Sequence, residues 1–338
     1  MTQLFDAVSQ GNLSTVKTLL AQKPFLVYFR LPDGSTPLHV SALWGTLNTA
    51  QFLVQKGADI NAHDARSETP LLKALWLPTG IFERRAKNMQ AFLLEKGADA
   101  GAVDVDGSSA LHRAVLIGKD ELIAPLLAKN VNVNERNKTG LTPIFALMNR
   151  GADLQLVRTL LDKGASLTIR PTDGNGASLL ARAAQAGRRD IVQLLIEKGA
   201  DVNGKDSENR APLTSLIFNG SMGPEQASVA ELLLEKGANP NDKVWDETLI
   251  SRIINSDSQE MLKVFLASKK VSLKAVNDRQ SPLVQSINYG RREMVKLLLE
   301  AGADPNEPDE QGRTALQVAT SYSPEMAELF KNPKPPAN

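Results

Sequence analysis

Apolar residues fall in short runs, such as Leu194-Leu195-Ile196 and Leu297-Leu298-Leu299, and each run is closed by a glycine-bearing polar string. The string Lys56-Gly57-Ala58-Asp59 recurs as Lys96-Gly97-Ala98-Asp99, Lys163-Gly164-Ala165-Ser166, Lys198-Gly199-Ala200-Asp201, Lys236-Gly237-Ala238-Asn239 and Ala301-Gly302-Ala303-Asp304. A second landmark, Thr36-Pro37-Leu38-His39, begins 21 residues (57 − 36) before the first of these glycines. Its counterparts begin at Thr2, Thr69, Ser109, Thr142, Ser178, Ala211, Thr248, Ser281 and Thr314. That makes ten units on a base period of 33 residues, as from Thr36 to Thr69. Self-similarity at such a period marks a stacked array, so length does not count domains here.

Each landmark has a local physical reading. Serine or threonine at the start caps a helix by accepting a backbone N–H. Proline next, as at Pro37, Pro70, Pro143, Pro212 and Pro282, suits the first helical turn, where its missing donor costs nothing. Nine residues after the cap stands a helix-ending glycine: Gly11, Gly45, Gly118, Gly151, Gly187, Gly220 and Gly290. A second helix then carries the apolar run, and Gly57 and its equivalents end it. Turn formers such as Asp104-Val105-Asp106-Gly107 follow and predict a hairpin-like loop.

Three units depart from this pattern. From Thr69 to Gly97 the spacing is 28 residues, seven over 21, with the excess around Pro78 to Arg84. From Ala211 to Gly237 it is 26, five over, near Ser221 to Glu225. The unit from Thr248 has Asp257 and Lys269 where the turn glycines stand elsewhere, which predicts a less stable repeat. The array is expected to occupy residues 1–332, followed by a disordered proline-rich tail over 333–338.

Helix, turn, helix, hairpin at period 33, with Thr-Pro-Leu-His and Gly-Ala-Asp signatures, resembles the ankyrin-repeat family over residues 2 to about 331. The resemblance implies an all-α, elongated and curved solenoid with a concave face of inner helices and loop fingers that recognises protein. It also implies that His39 and His112 tie neighbouring turns together by backbone hydrogen bonds. The residues seven and eight places after each cap are expected on the concave surface, unneeded for stacking. Leu43-Trp44, Trp76-Leu77 and Leu116-Ile117 are wholly apolar and consecutive, and are expected to form one patch, extended by Ile81 and Phe82. Phe218 and Tyr289 hold equivalent places, and Trp245 falls at a hairpin tip. These eleven residues are the candidate partner-binding set.

Composition narrows the chemistry. Thirty-nine basic residues against 38 acidic ones leave a net charge of +1, which gives nucleic acid or an anionic membrane no large basic face. With no cysteine and only His39, His63 and His112, disulfides, thiolate catalysis and a transition-metal site are not expected. No phosphate loop and no nucleophile elbow occur, and no cofactor is implied. Asp33, Asp59, Asp99, Asp106 and Asp201 fall at turns, where aspartate serves the backbone.

The expected function is therefore a non-catalytic, monomeric module that binds another protein, inhibiting or sequestering an enzyme in its most concrete version. A bacterial effector docking on a host protein is the alternative. An enzyme with its site on the two insertions is a third reading. No apolar stretch reaches the about 20 residues that span a bilayer. The expected location is the cytoplasm if the chain is complete, or the bacterial periplasm or exterior if a leader has been removed.

Overall fold

The computed structural model describes residues 2–77, 83–172, 174–274 and 280–331. Ile81, Phe82 and the tail from Pro333 lie outside the described residues. The chain divides into two compact units, Met1–Ser166 with Pro171–Asp173, and Leu167–Arg170 with Gly174–Asn338.

The first unit holds the inner helices α1 (Thr2–Ser9), α3 (Pro37–Trp44), α5 (Pro70–Ala74), α7 (Ala110–Ile117) and α9 (Pro143–Arg150). Each is followed by an outer helix: α2 (Leu13–Gln22), α4 (Leu47–Gln55), α6 (Glu83–Glu95), α8 (Ile123–Leu127) and α10 (Leu154–Asp162). The second unit repeats the arrangement. Its inner row is α11 (Leu179–Gln185), α13 (Pro212–Asn219), α15 (Leu249–Asn255), α17 (Pro282–Asn288) and α19 (Ala315–Tyr322). Its outer row is α12 (Arg189–Glu197), α14 (Pro224–Glu235), α16 (Gln259–Ala267), α18 (Arg292–Glu300) and α20 (Pro324–Glu328). Within each unit successive inner helices pack side by side, as α1 on α3, α3 on α5, and α11 on α13. The all-α architecture is thus present. Among the described residues the paired strands are β1 (Lys243–Val244) and β2 (Glu247–Thr248), antiparallel.

The caps explain where the inner helices start. Thr36, Thr69, Ser109, Ser178, Thr248, Ser281 and Thr314 each accept the N–H of the residue three further on. Each such cap stabilises its helix by about 1 kcal/mol. Two expected caps differ. Thr2 is itself the first helical residue of α1, and the Thr142 hydroxyl is buried without a hydrogen-bond partner. Ala211, having no oxygen to offer, starts α13 on Pro212 alone.

The turn glycines behave as expected except one. Gly11, Gly45, Gly118, Gly151, Gly187 and Gly290 all take positive φ. Gly220 is extended instead (φ −88°), because the second insertion delays α14 until Pro224 and the chain leaves α13 straight. In the unit from Thr248, Asp257 (φ 54°) and Lys269 (φ 55°) take the left-handed conformation that glycine would adopt without strain.

Adjacent repeats are locked by polar side chains as well as by apolar burial. His39 accepts the Thr36 N–H at Nδ1 (3.1 Å), which leaves Nε2–H to donate to the Glu68 carbonyl (2.9 Å) in the next repeat. His112 does the same between Ser109 and the Leu141 carbonyl (3.0 Å). Burial holds both imidazoles below their ordinary pKa of 6.5, that is, neutral. An asparagine four residues past the outer-helix turn makes a second tie. Asn203 donates to the Gly237 carbonyl (3.0 Å) and accepts the Asn239 N–H (3.2 Å). Asn134 bridges to Gly164 and Ser166, and Asn241 to Lys270 and Ser272, in the same way.

Candidate functional site

The candidate residues sit where inner helices end. A regular helix such as α3 runs to the eighth residue after its cap and stops at a left-handed glycine, Gly45. That leaves the last two side chains without a following turn to cover them. Leu43, Trp44, Leu116 and Ile117 are accordingly exposed, Trp44 to 56%.

The repeat from Thr69 breaks this rule, and one expectation fails with it. Helix α5 ends at Ala74, a turn early, since Pro78 and not glycine stands nine residues after the cap. Trp76 and Leu77 therefore lie in a turn. Trp76 remains open at 54%, but Leu77 is buried at 4%. Its methyl groups pack where a Cβ on Gly45 would meet them at 3.3 Å, and its carbonyl accepts the Lys119 ammonium (2.7 Å). Leu77 is a core residue, not a surface one. Lys119 is itself buried, and desolvation lowers its pKa.

Beneath Trp76 lies a buried ionic network that the sequence reading did not find. Glu68 accepts from Lys73, from Arg113 (2.5 Å) and from the Trp76 indole N–H (3.1 Å). Lys73 also reaches Asp64 (2.7 Å), and Arg113 reaches Asp104 (2.6 Å). The Arg113 guanidinium stands 5.0 Å from the centre of the Trp76 ring, a cation–π distance. Burial alone would raise the carboxyl pKa values. Hydrogen bonds from Lys73 and Arg113 and from backbone N–H groups outweigh it, so Asp64, Glu68 and Asp104 are all held below the usual carboxylate range. The signal in the sequence was an acid five residues before the cap and a base four after it, at Asp64 and Lys73 and again at Asp104 and Arg113. The network positions Trp76: its one polar atom is satisfied inward, and the rest of the ring faces out.

The remaining candidates lie in the second unit. Phe218 is half-buried, with the Arg252 guanidinium 5.5 Å from its ring centre. Tyr289 is exposed at the end of α17. Trp245, at the tip between β1 and β2, is 91% exposed with φ 52°. Phe25 and Tyr28 are also exposed, and the sequence reading missed them. They stand on a 3-10 turn, Pro24–Tyr28, where later repeats carry the glycine string, and that substitution was the available sign.

Among the described residues no group of three or more histidine, aspartate and glutamate side chains is placed to hold a metal ion, and no helix is long and apolar enough to cross a membrane. His63 bonds the Ser67 carbonyl through Nδ1 (3.1 Å).

Comparison with known proteins agrees with this geometry. The family model for ankyrin repeats (3 copies) matches residues 4–84, 84–171, 144–244 and 249–336. The chain is 24% identical over 94% of its length to ankyrin repeat protein nuc-2 of Neurospora crassa, of which it covers 26%. It is 27% identical over 93% of its length to mouse Rabankyrin-5, of which it covers 32%. To the Arabidopsis E3 ubiquitin-protein ligase KEG it is 28% identical over 63% of its length, and it covers 14% of that protein. The chain thus spans about a third or less of each of these relatives. With the family model matching nearly every repeat, the chain belongs to the ankyrin-repeat family.

Proposed function

We propose that this chain is a protein-binding module without catalytic activity of its own, monomeric when free. In this reading the first unit engages its partner through Leu43, Trp44, Trp76, Leu116 and Ile117. The observation that supports it is the exposure of two tryptophans and three aliphatic side chains on neighbouring repeats. Large exposed apolar patches on soluble proteins mark interfaces, and tryptophan is over-represented among binding hot spots. Phe218, Trp245 and Tyr289 are the corresponding contacts in the second unit. The repeats act by scaffolding a partner or by covering one, and occlusion of an enzyme's active site is the concrete form we favour.

The test uses the partner captured from native lysate and then purified. Trp44→Ala is expected to weaken its binding by about 2 kcal/mol. The thermal midpoint is expected to stay unchanged, since Trp44 is 56% exposed and makes no polar tie among the described residues. A variant that loses thermal stability while keeping full affinity would place Trp44 in the fold and end this reading.

A further inference from the structure

The first two repeats carry a surface of different chemistry on their outer row. Most later outer helices run into the glycine string, but α2 runs into the 3-10 turn Pro24–Tyr28. Leu26 and Val27 are buried and fasten this turn to the core, and Phe29 packs edge-on against Phe5, with 6.3 Å between ring centres. Phe25 and Tyr28 are left outside, 63% and 62% exposed. Tyr28 reaches over Gly57 of the next repeat, its hydroxyl 3.1 Å from where a Cβ would stand. The bare Cα there lets an aromatic of one repeat lie against the turn of the next.

Lys56 stands directly before that glycine. Its ammonium is 5.5 Å from the centre of the Phe52 ring, and Lys17 of α2 reaches the same ring at 5.7 Å. Two cations thus converge on one half-buried aromatic, and neither is within ion-pair reach of a carboxylate among the described residues. The ring attracts each of them, but they repel one another, and a carboxylate lying between them would offset that repulsion. Lys23, at the end of α2, adds a third exposed ammonium two residues before Phe25. Residues 7–58 hold four basic side chains (Lys17, Lys23, Arg30, Lys56) against one acid, Asp33, a balance of +3. The nearest acids along the chain serve their own turns: Asp33 accepts the Ser35 N–H (2.9 Å), and Asp59 accepts the Asn61 N–H (2.9 Å). On the neighbouring outer helix α6 the acids are taken, Glu83 by Lys87 and Glu95 by Lys96.

Exposed aromatic surface rimmed by charge of one sign marks an interface, and the sign selects the partner's opposite charge. Three lysines are too few for an anionic bilayer, where polybasic segments carry about 4–8 basic residues. We infer that the outer face of the first two repeats docks an acidic segment of a partner protein that also carries apolar side chains. Its carboxylates accept from Lys17, Lys23 and Lys56, and its apolar side chains lie against Phe25 and Tyr28. The surface is on the outer row, apart from the inner-helix ends engaged in the reading above.

The probe is a fluorescein-labelled peptide, Glu-Glu-Phe-Glu-Glu-Leu, titrated with the full chain and followed by anisotropy at low and high salt. Wild-type protein is expected to bind it, more weakly at high salt, and to bind the uncharged analogue Gln-Gln-Phe-Gln-Gln-Leu at least about tenfold less tightly. The double variants Lys17→Gln/Lys56→Gln and Phe25→Ser/Tyr28→Ser are each expected to lose about tenfold or more in affinity. Lys129→Gln/Lys163→Gln, an equal charge change after later outer helices of the same unit, is expected to stay within about twofold. Circular dichroism checks that each variant is folded. Trp44→Ala is expected to leave this binding intact, so a failed reading of the inner-helix ends and a failed outer surface give different results. The inference is overturned by no binding, by equal binding of the uncharged analogue, by unchanged affinity in the lysine variant, or by equal loss in the control variant. Loss in Trp44→Ala would overturn it by placing the peptide on the inner-helix ends. Co-sedimentation with vesicles of phosphatidylserine and phosphatidylcholine in equal parts, abolished in Lys17→Gln/Lys56→Gln, would overturn it too, by making the surface a lipid contact.

Discussion

Replacing Arg113 by leucine tests whether charge balance, rather than the number of ion pairs, governs the network under Trp76. Asp64, Glu68 and Asp104 face Lys73 and Arg113, three negative charges against two positive, a balance of −1. Arg113→Leu leaves three against one, or −2, and strips Asp104 of its cation. Removing one partner from a buried pair costs about 3–5 kcal/mol, mostly because the other charge stays buried. Glu68→Gln has the opposite arithmetic: two against two, or zero, with Lys73 still on Asp64 and Arg113 still on Asp104. A glutamine oxygen can also still accept from Trp76, so the expected cost is about 1–2 kcal/mol. In a unit of this size each kcal/mol moves the midpoint by about 2–4 °C. Arg113→Leu is then expected to lower the first unit's thermal midpoint by about 6–20 °C, and Glu68→Gln by about 2–8 °C. Calorimetry at pH 7 reads both. If Glu68→Gln costs as much as Arg113→Leu, or more, charge balance is not what sets the stability of this cluster.

Three further outcomes are expected. His39 and His112 have folded pKa values lowered by burial, so their contribution to stability is fully present above about pH 6.5 and is lost as pH falls through the depressed values. The urea midpoint should decline between pH 7.5 and 5, before the network carboxylates titrate, and a flat profile would contradict the neutral-imidazole assignment. The repeat from Thr248 should exchange amide hydrogens faster than the repeat from Ser178, and Lys269→Gly should slow it by relieving about 1 kcal/mol of left-handed strain. Equal protection in the two repeats, or faster exchange in the variant, would refute the strain argument. Asn203→Ala, which removes both ties to the Gly237–Asn239 turn, should lower the second unit's stability by about 1 kcal/mol in denaturant titration, and no change would mean water replaces the amide at no cost.

What could be read from the sequence was whatever is local to one repeat. Thr36 stands directly before Pro37, so its cap follows from the motif, while the backbone tie of His39 was implied by the family resemblance. Asp257 and Lys269 replace glycines at known places, and their positive φ follows from that. Trp245 at a fingertip is exposed for the same reason. Features that depend on chain length or on two repeats at once escaped. Leu77 was assigned by counting from a cap, but α5 stops early beside the insertion and turns that side chain inward. Gly220 was assigned by position too, and the second insertion straightens it. Glu68 meets Arg113 only because two repeats are stacked, and no spacing within one repeat shows which of several acids a base will meet.

The asparagine ties and the imidazole bonds run from side chain to backbone carbonyl, so they fix how repeats register without consulting the residues at the ends of the inner helices. If the proposed contacts are the ones used, stacking and recognition are written at different positions, and a lineage can rewrite what the inner-helix ends bind while leaving the assembly instructions intact. The repeat from Thr69 is the exception. There Trp76 gives its indole N–H to the network and its face to solvent, and Leu77 belongs wholly to the core. On the proposed reading, selection on affinity at that repeat must also act on folding, so specificity there is not free to drift.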